Sequence, residues 1–285
     1  MKFRKICRLS PAFLLFALII LQASSALAER WSFAFFGDNR SFVEGYRNVL
    51  EAIKSDKPAD SKFPAAEFVV GLGDIDPADQ TARIYKEVMG TAATFIPVRG
   101  NHERPQDVHL MLNDLLPRLK VHAALYEKES LTYYFDWKNI RMISIDQYAP
   151  YAKRLDNPAL LGWLEKAILS ARADHIFVAC HEPFIPDDFH TDPFWSLLLK
   201  HSDKVRAVLC AHTHVYARRY IPDTYGGIHL INAGNAGNIG HSDLMNTFVQ
   251  VSVDKRQVLF RSVQAPDKTR HFKATDEWKA SKPGQ

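Results

Sequence analysis

The stretch FAFFGDNR, residues 33–40, sets four apolar residues directly against Gly37, Asp38, Asn39 and Arg40. An apolar run without polar alternation is how a strand buried on both faces reads, in a sheet covered by helices. Leaving such a strand through glycine places the next polar side chains at the sheet end, where layered α/β folds assemble their sites. The event recurs in "EFVVGLGD" (67–74), "TFIPVRGNHE" (94–103), "HIFVACHEPF" (175–184) and "VRAVLCAHTH" (205–214). Each run of β-formers stops at Asp, His or Asn.

Helical patterns separate the early strands. Phe42, Tyr46, Val49, Leu50 and Ile53 share one helical face, and a second helix runs through "TARIYKEVMG" (81–90). Alternating strands and helices predict an α/β fold. Further on, "LTYYFDWKNIRMISID" (131–146) predicts a hairpin turning at Trp137, Lys138 and Asn139. "NPALLGWLEKAILSARA" (157–173) predicts a helix with Asn157 as N-cap and Pro158 in the first turn. "GIHLINAG", "NTFVQVSV" and "QVLFRSV" close the pattern with antiparallel strands, so the sheets are expected to be mixed. The polar tail from Pro266 lacks an apolar face and is expected to be loosely packed or disordered.

Of 285 residues, 1–28 have the layout of an export leader: four cations, the apolar run "PAFLLFALIIL" and small Ala26 and Ala28 around Leu27. That run is shorter than the about 20 residues a membrane span needs, so cleavage after Ala28 and a periplasmic or secreted chain without stable anchor are expected. Residues 29–285 then form a single domain. Without the leader, 32 of the 36 Lys and Arg remain to face 32 Asp and Glu. A neutral chain gives no basic footprint for nucleic acid. Cys180 and Cys210 sit in apolar runs and are expected to be buried thiols.

The polar strand ends offer Asp, Asp, Asn with His, His, and His with His. Such oxygen and nitrogen donors suit Mn²⁺, Zn²⁺ or Fe rather than thiolate-seeking metals. Two carboxylates cannot neutralise two divalent ions, so a filled site stays positive and attracts phosphate. Paired ions can clamp a phosphoryl group and activate water, which is hydrolysis without a side-chain nucleophile.

Asp38-Asn39-Arg40, Gly73-Asp74, Gly100-Asn101-His102-Glu103, His181 and Ala211-His212-Thr213-His214 resemble, in order, the motifs of the calcineurin-like metallophosphoesterase superfamily. The resemblance spans residues 31 to about 264 and extends to a branch related to purple acid phosphatases. It implies a four-layer αββα sandwich, mixed β-sheets flanked by helices, holding two divalent metal ions. By that resemblance Asp74 bridges the metals, Asp38 and His214 serve the first, and Asn101, His181 and His212 the second. His102 would act as general acid at the leaving-group oxygen, with Glu103 as a possible orienting partner. The substrate would be a small phosphorylated molecule, a phosphomonoester ahead of a diester, cyclic nucleotide or nucleotide, cleaved by a metal-bound hydroxide. A phosphate- or metal-binding module without catalysis is the alternative.

Two departures stand out. The first motif's usual histidine is Arg40, which has no lone pair for a metal. It is expected either to grip a phosphate oxygen pair or to pair with an acid. Purple acid phosphatases compensate for this histidine with a tyrosine three residues past the "GD" aspartate, where this chain has Pro77. Ala211 replaces the last motif's glycine, which requires a backbone without positive φ there. His190 and His241, in loops expected to rim the site, are candidate substrate contacts. His109, His122, His175, His201 and His229 read as packing or surface residues, and Asp76, Asn235 and Asn238 as turn residues.

Overall fold

The computed structural model describes residues 30–40, 43–55, 62–91, 93–119, 123–151, 155–224, 226–237, 245–255, 257–266 and 269–281. The leader, Phe42, His122, Asn238 and His241 lie outside the described residues. No helix among the described residues is long and apolar enough to cross a membrane.

Strand β1 (Trp31–Phe36) is buried along its whole length, Ser32 included, in keeping with the apolar run 33–36. It pairs in parallel with β2 (Ala66–Gly71), which pairs in parallel with β3 (Thr94–Pro97). Helices α1 (Val43–Ser55) and α2 (Ala78–Met89) make the crossovers. On its other side β1 pairs antiparallel with β11 (Asn246–Val253), followed by β12 (Gln257–Ala265) and β13 (Lys273–Ser281). The resulting six-stranded sheet runs β13-β12-β11-β1-β2-β3.

The second sheet has seven strands in the order β4-β5-β6-β7-β8-β10-β9. Its members are β4 (Ala124–Leu125), β5 (Tyr133–Trp137), β6 (Ile140–Ser144), β7 (His175–Ala179), β8 (Val205–Cys210), β9 (Tyr216–Ile221) and β10 (Ile228–Ala233). β6, β7, β8 and β10 run parallel and therefore end on one side. The expected hairpin is β5–β6, turning through Lys138 at φ 51°. Helix α3 (Pro105–Leu110) runs on through a π-helical segment at Met111–Leu115. Helices α4 (Pro158–Leu169) and α5 (Pro193–Lys200) are the remaining α-helices among the described residues, and Asn157 caps α4 by accepting from Ala159 N at 2.9 Å.

Alternation along the strands builds four layers, as expected. Phe33 meets Phe177 of the opposite sheet at 5.2 Å between ring centroids, and Phe68 meets Phe135 at 5.9 Å. Phe36 faces the other way and packs on Tyr46 of α1 at 5.5 Å. On the far side Leu160, Leu164, Ile168, Trp195 and Leu198 of α4 and α5 share a core with Ile143, Ile176, Val178 and Val208. Cys180 and Cys210 lie in that core as free thiols.

The tail departs from expectation, because residues 273–281 form edge strand β13 rather than a loose end. Gln257↔Ser281 to Gln264↔Lys273 pair antiparallel, with a shift near Ser262. One aromatic anchors it: Trp278 stacks on Phe260 at 5.1 Å and 5°. Asp276 accepts from Tyr216 Oη at 2.8 Å and from Arg218 Nε at 2.6 Å, tying this edge to β9. An edge strand faces water along one side, so its polar composition mimics that of a loose terminus.

Candidate metal centre

The ends of β1, β2, β3, β7 and β8 converge in one crevice. Asp38, Asp74 and His214 bring one ligand atom each within 4.8 Å of one another. Beside them Asn101 Oδ1 lies 3.1 Å from His181 Nε2 and 3.1 Å from His212 Nδ1. His181 Nε2 is 3.2 Å from His212 Nδ1 and 3.4 Å from Asp74 Oδ1. Two donor groups therefore meet at one carboxylate, Asp74.

The backbone is bent to make this possible. Six non-glycine residues have positive φ among the described residues, and four of them are Asp38 (56°), Asp74 (52°), His212 (69°) and His214 (57°). Left-handed backbone at non-glycine residues costs on the order of 1 kcal/mol or more each and concentrates at functional sites. Here the turn redirects each side chain from the strand's axis into the crevice. Asn235 (81°) is a turn residue, as expected, accepting from Gly237 N.

Neighbouring contacts fix the ligand atoms. His181 Nδ1 is 2.7 Å from the Leu72 carbonyl, so its N–H donates there and its Nε2 lone pair faces Asp74, Asn101 and His212. Asp38 Oδ2 accepts from His212 N at 2.9 Å. Its buried Oδ1 makes no hydrogen bond and lies 3.3 Å from His214 Nε2. Asp38 raises the His214 pKa, chiefly through their side-chain contact and against the effect of burial. A carboxylate oxygen lacking a donor, facing an imidazole nitrogen, is a geometry a shared cation satisfies.

Glu103 differs from expectation. Its contacts are with backbone: Oε1 accepts from Ile75 N and Oε2 from Gly100 N, both at 2.6 Å. It buckles the Asp74 loop to the Asn101 loop rather than orienting His102. Burial pushes its carboxyl up to about 8, opposed by the Ile75 bond and reinforced by Asp74. A side chain at Gly100 would collide with this junction, since an added Cβ falls 2.3 Å from Asp74 N. His102 donates its backbone N–H to Asp74 Oδ1 at 3.1 Å, and its half-exposed ring places Nε2 3.7 Å from Asp74 Oδ2.

Arg40 is paired with an acid: its Nε lies 3.0 Å from Asp76 Oδ1. Asp76 is thus the partner of Arg40 as well as a turn residue. Burial raises its pKa while Arg40 lowers it. Asn39 donates to Thr81 Oγ1 at 2.8 Å, and Thr81 donates to the Ile75 carbonyl at 2.8 Å, linking the first two loops.

Ala211 avoids positive φ, and its methyl has a counterpart. A Cβ built on Gly37 would sit 2.3 Å from Ala211 Cβ. Gly37→Ala is expected to destabilise the protein by about 1–3 kcal/mol through overpacking. Adding Ala211→Gly should restore most of that loss in chemical denaturation. Failure of the second change to rescue would show that Gly37 is needed for another reason.

A sequence profile described as calcineurin-like phosphoesterase matches residues 32–216, the interval that holds every one of these candidate ligands. The chain belongs to this family. The membership reaches the superfamily, and the purple acid phosphatase branch gains no support. Comparison with curated proteins gives no match. Among solved structures, Entamoeba histolytica Vps29 complexed with Zn²⁺ is similar at 12% identity, with 88% of this chain and 99% of that one covered and a TM-score of 0.44. A predicted phosphoesterase from Streptococcus pneumoniae gives 11% identity, 89% and 99% coverage and a TM-score of 0.42. Sulfate thiohydrolase SoxB from Thermus thermophilus gives 14%, 81% and 44%, with a TM-score of 0.43.

This calcineurin-like phosphoesterase site has supports that its motifs do not announce. Asp146, just past β6, is buried and accepts from Leu131 N, Tyr148 N and Ala149 N at 3.0–3.2 Å, with Arg99 Nη1 at 3.4 Å. Tyr148 donates to Glu182 Oε1 at 2.7 Å, and its ring lies 6.2 Å from that of His181. The signal for Asp146 was a further strand run, "MISID", ending in an acid. His190 is exposed, and no contact joins its ring to the ligand residues among the described residues. His175 and His229 are buried packing residues, as expected.

Proposed function

We propose that the chain is an exported, metal-dependent phosphoesterase that hydrolyses small phosphate esters, with monoesters favoured. The observation that carries the reading is the meeting of Asp38 with His214, and of Asn101 with His181 and His212, at the single carboxylate of Asp74. These donors fit two divalent ions of the Mn²⁺, Zn²⁺ or Fe class, which when bound would supply Lewis acidity and an activated water.

The chain's own residues do the rest. Asp74 fixes the crevice's centre and, through the His102 N–H, the start of the loop that carries the general acid. The exposed His102 ring stands where it can deliver a proton to a departing alcohol oxygen. Arg40 is held through its Nε on Asp76, and its two Nη groups would grip a phosphate oxygen pair. Cleavage after Ala28 would deliver the domain to the periplasm or medium.

Metal analysis of the purified protein, with turnover of phosphomonoesters, diesters and cyclic nucleotides under each metal, tests this. Two ions per chain and preferential monoester hydrolysis are expected. Arg40→Ala should lower turnover by about tenfold or more at unchanged metal content. The Arg40–Asp76 pair favours a second reading, a phosphate- or metal-binding module with a weakened first metal position. Fewer than one ion per chain and no turnover with any metal would establish that module instead.

A further inference from the structure

The outer face of the β9–β10 pair carries a cleft of about 160 Å³ that adjoins the metal-ligand loops. Pro183, Ile185, Ala217 and Leu230 line it, with Arg218, Arg219, Thr213 and Asn232 as its polar members. Pro183 follows His181 by two residues, and Thr213 stands between His212 and His214, so the cleft shares its wall with the ligand loops. Asn232 sets that wall. Its amide donates to the Ala211 carbonyl and to Thr213 Oγ1, both at 2.7 Å, and its Oδ1 accepts from Gly234 N.

Two large apolar side chains are exposed on this side: Ile185, in the cleft wall four residues past His181, is 58% exposed, and Val215, one residue past His214, is 37%. Exposed apolar side chains beside the proposed phosphate site have no role in binding the phosphate itself. At one edge the Arg219 guanidinium packs over Phe189 at 4.7 Å, and no carboxylate pairs with it among the described residues.

We propose that this cleft receives an aromatic leaving group, making the preferred substrates aryl phosphates. The proposal rests on the phosphoesterase reading and narrows its substrate class. Its size suits one ring: an apolar cavity of about 150 Å³ in another protein accommodates benzene. A sugar or glycerol would place part of its hydroxyls against Ile185, Pro183 and Leu230, which offer them no partner. Arg219 offers the ring a cationic edge and face. Hydrolysis needs only water. Its oxygen bonds to phosphorus, the phosphorus–aryloxy bond breaks with its electrons going to the phenolic oxygen, and a proton from water ends there as phosphate forms.

Calorimetric titration of the metal-supplemented protein with phenylphosphonate and methylphosphonate separates ring from phosphate. Phenylphosphonate should bind about tenfold or more tightly than its methyl counterpart, given the apolar area the ring would bury. Ala217→Trp, on an exposed edge strand, should fill the cleft and bring that ratio near one while leaving methylphosphonate affinity unchanged. Ile185→Asp should lower the ratio without a change in melting temperature. Equal affinities in the unaltered protein, or a ratio indifferent to both substitutions, would overturn the cleft's role alone. Failure of both phosphonates to bind would overturn the phosphate site and this proposal with it.

Discussion

Asp74→Asn is expected to lower phosphoester turnover at least a thousandfold and to strip the protein of most of its metal, while leaving the fold intact. The carboxylate touches both donor groups, with Oδ1 3.4 Å from His181 Nε2 and the side chain within ligand reach of Asp38 and His214. Asparagine keeps the shape, tolerates the left-handed backbone at φ 52° and can still accept from His102 N. What it loses is charge and one acceptor oxygen, the two properties a bridge between cations needs. Each factor of ten corresponds to about 1.4 kcal/mol of transition-state stabilisation. Turnover within tenfold of the unaltered protein, with metal retained, would refute the bridging role.

Glu103→Ala should cost about 2–5 kcal/mol of stability and weaken metal binding although Glu103 is no ligand. Two buried N–H groups, on Ile75 and Gly100, would lose their acceptor together, and each such orphan costs about 1–3 kcal/mol. The loops bearing Asp74 and Asn101 would also lose their buckle. Glu103→Gln should recover part of the loss, because its single carbonyl oxygen can serve one N–H while its amide opposes the other. Denaturant unfolding gives the first effect and metal titration the second. A loss of stability below 1 kcal/mol would assign those N–H groups to other partners.

Much of this arrangement was legible in the chain. The apolar run 33–36 predicted a doubly buried strand because no polar residue interrupts it, and β1 is buried throughout, Ser32 included. The ligand candidates were legible because Asp, Asn and His directly after strands have few structural reasons to be there, and the crevice contains them all. Pairings between distant loops were not. Arg40 and Asp76 meet only because β1 and β2 end side by side, and nothing in either segment names the other. Glu103 was misread because its partners are backbone N–H groups, which carry no residue identity. The tail was misread because β13 has one large apolar residue, Trp278, and takes most of its order from pairing with β12.

The four left-handed residues of the candidate metal centre have a consequence for how loss of function should be interpreted. Glycine relieves such a backbone, so glycine at His214 would discard a candidate ligand and at the same time remove a torsional burden. A variant emptied of activity can therefore melt at a higher temperature than its parent. In this protein thermal robustness and competence are set against each other at the same residue, and a screen that selects for heat resistance would drift toward a silent chain. The tension is wound into the loops during folding, so an ion arriving at the proposed centre would find its seat already shaped.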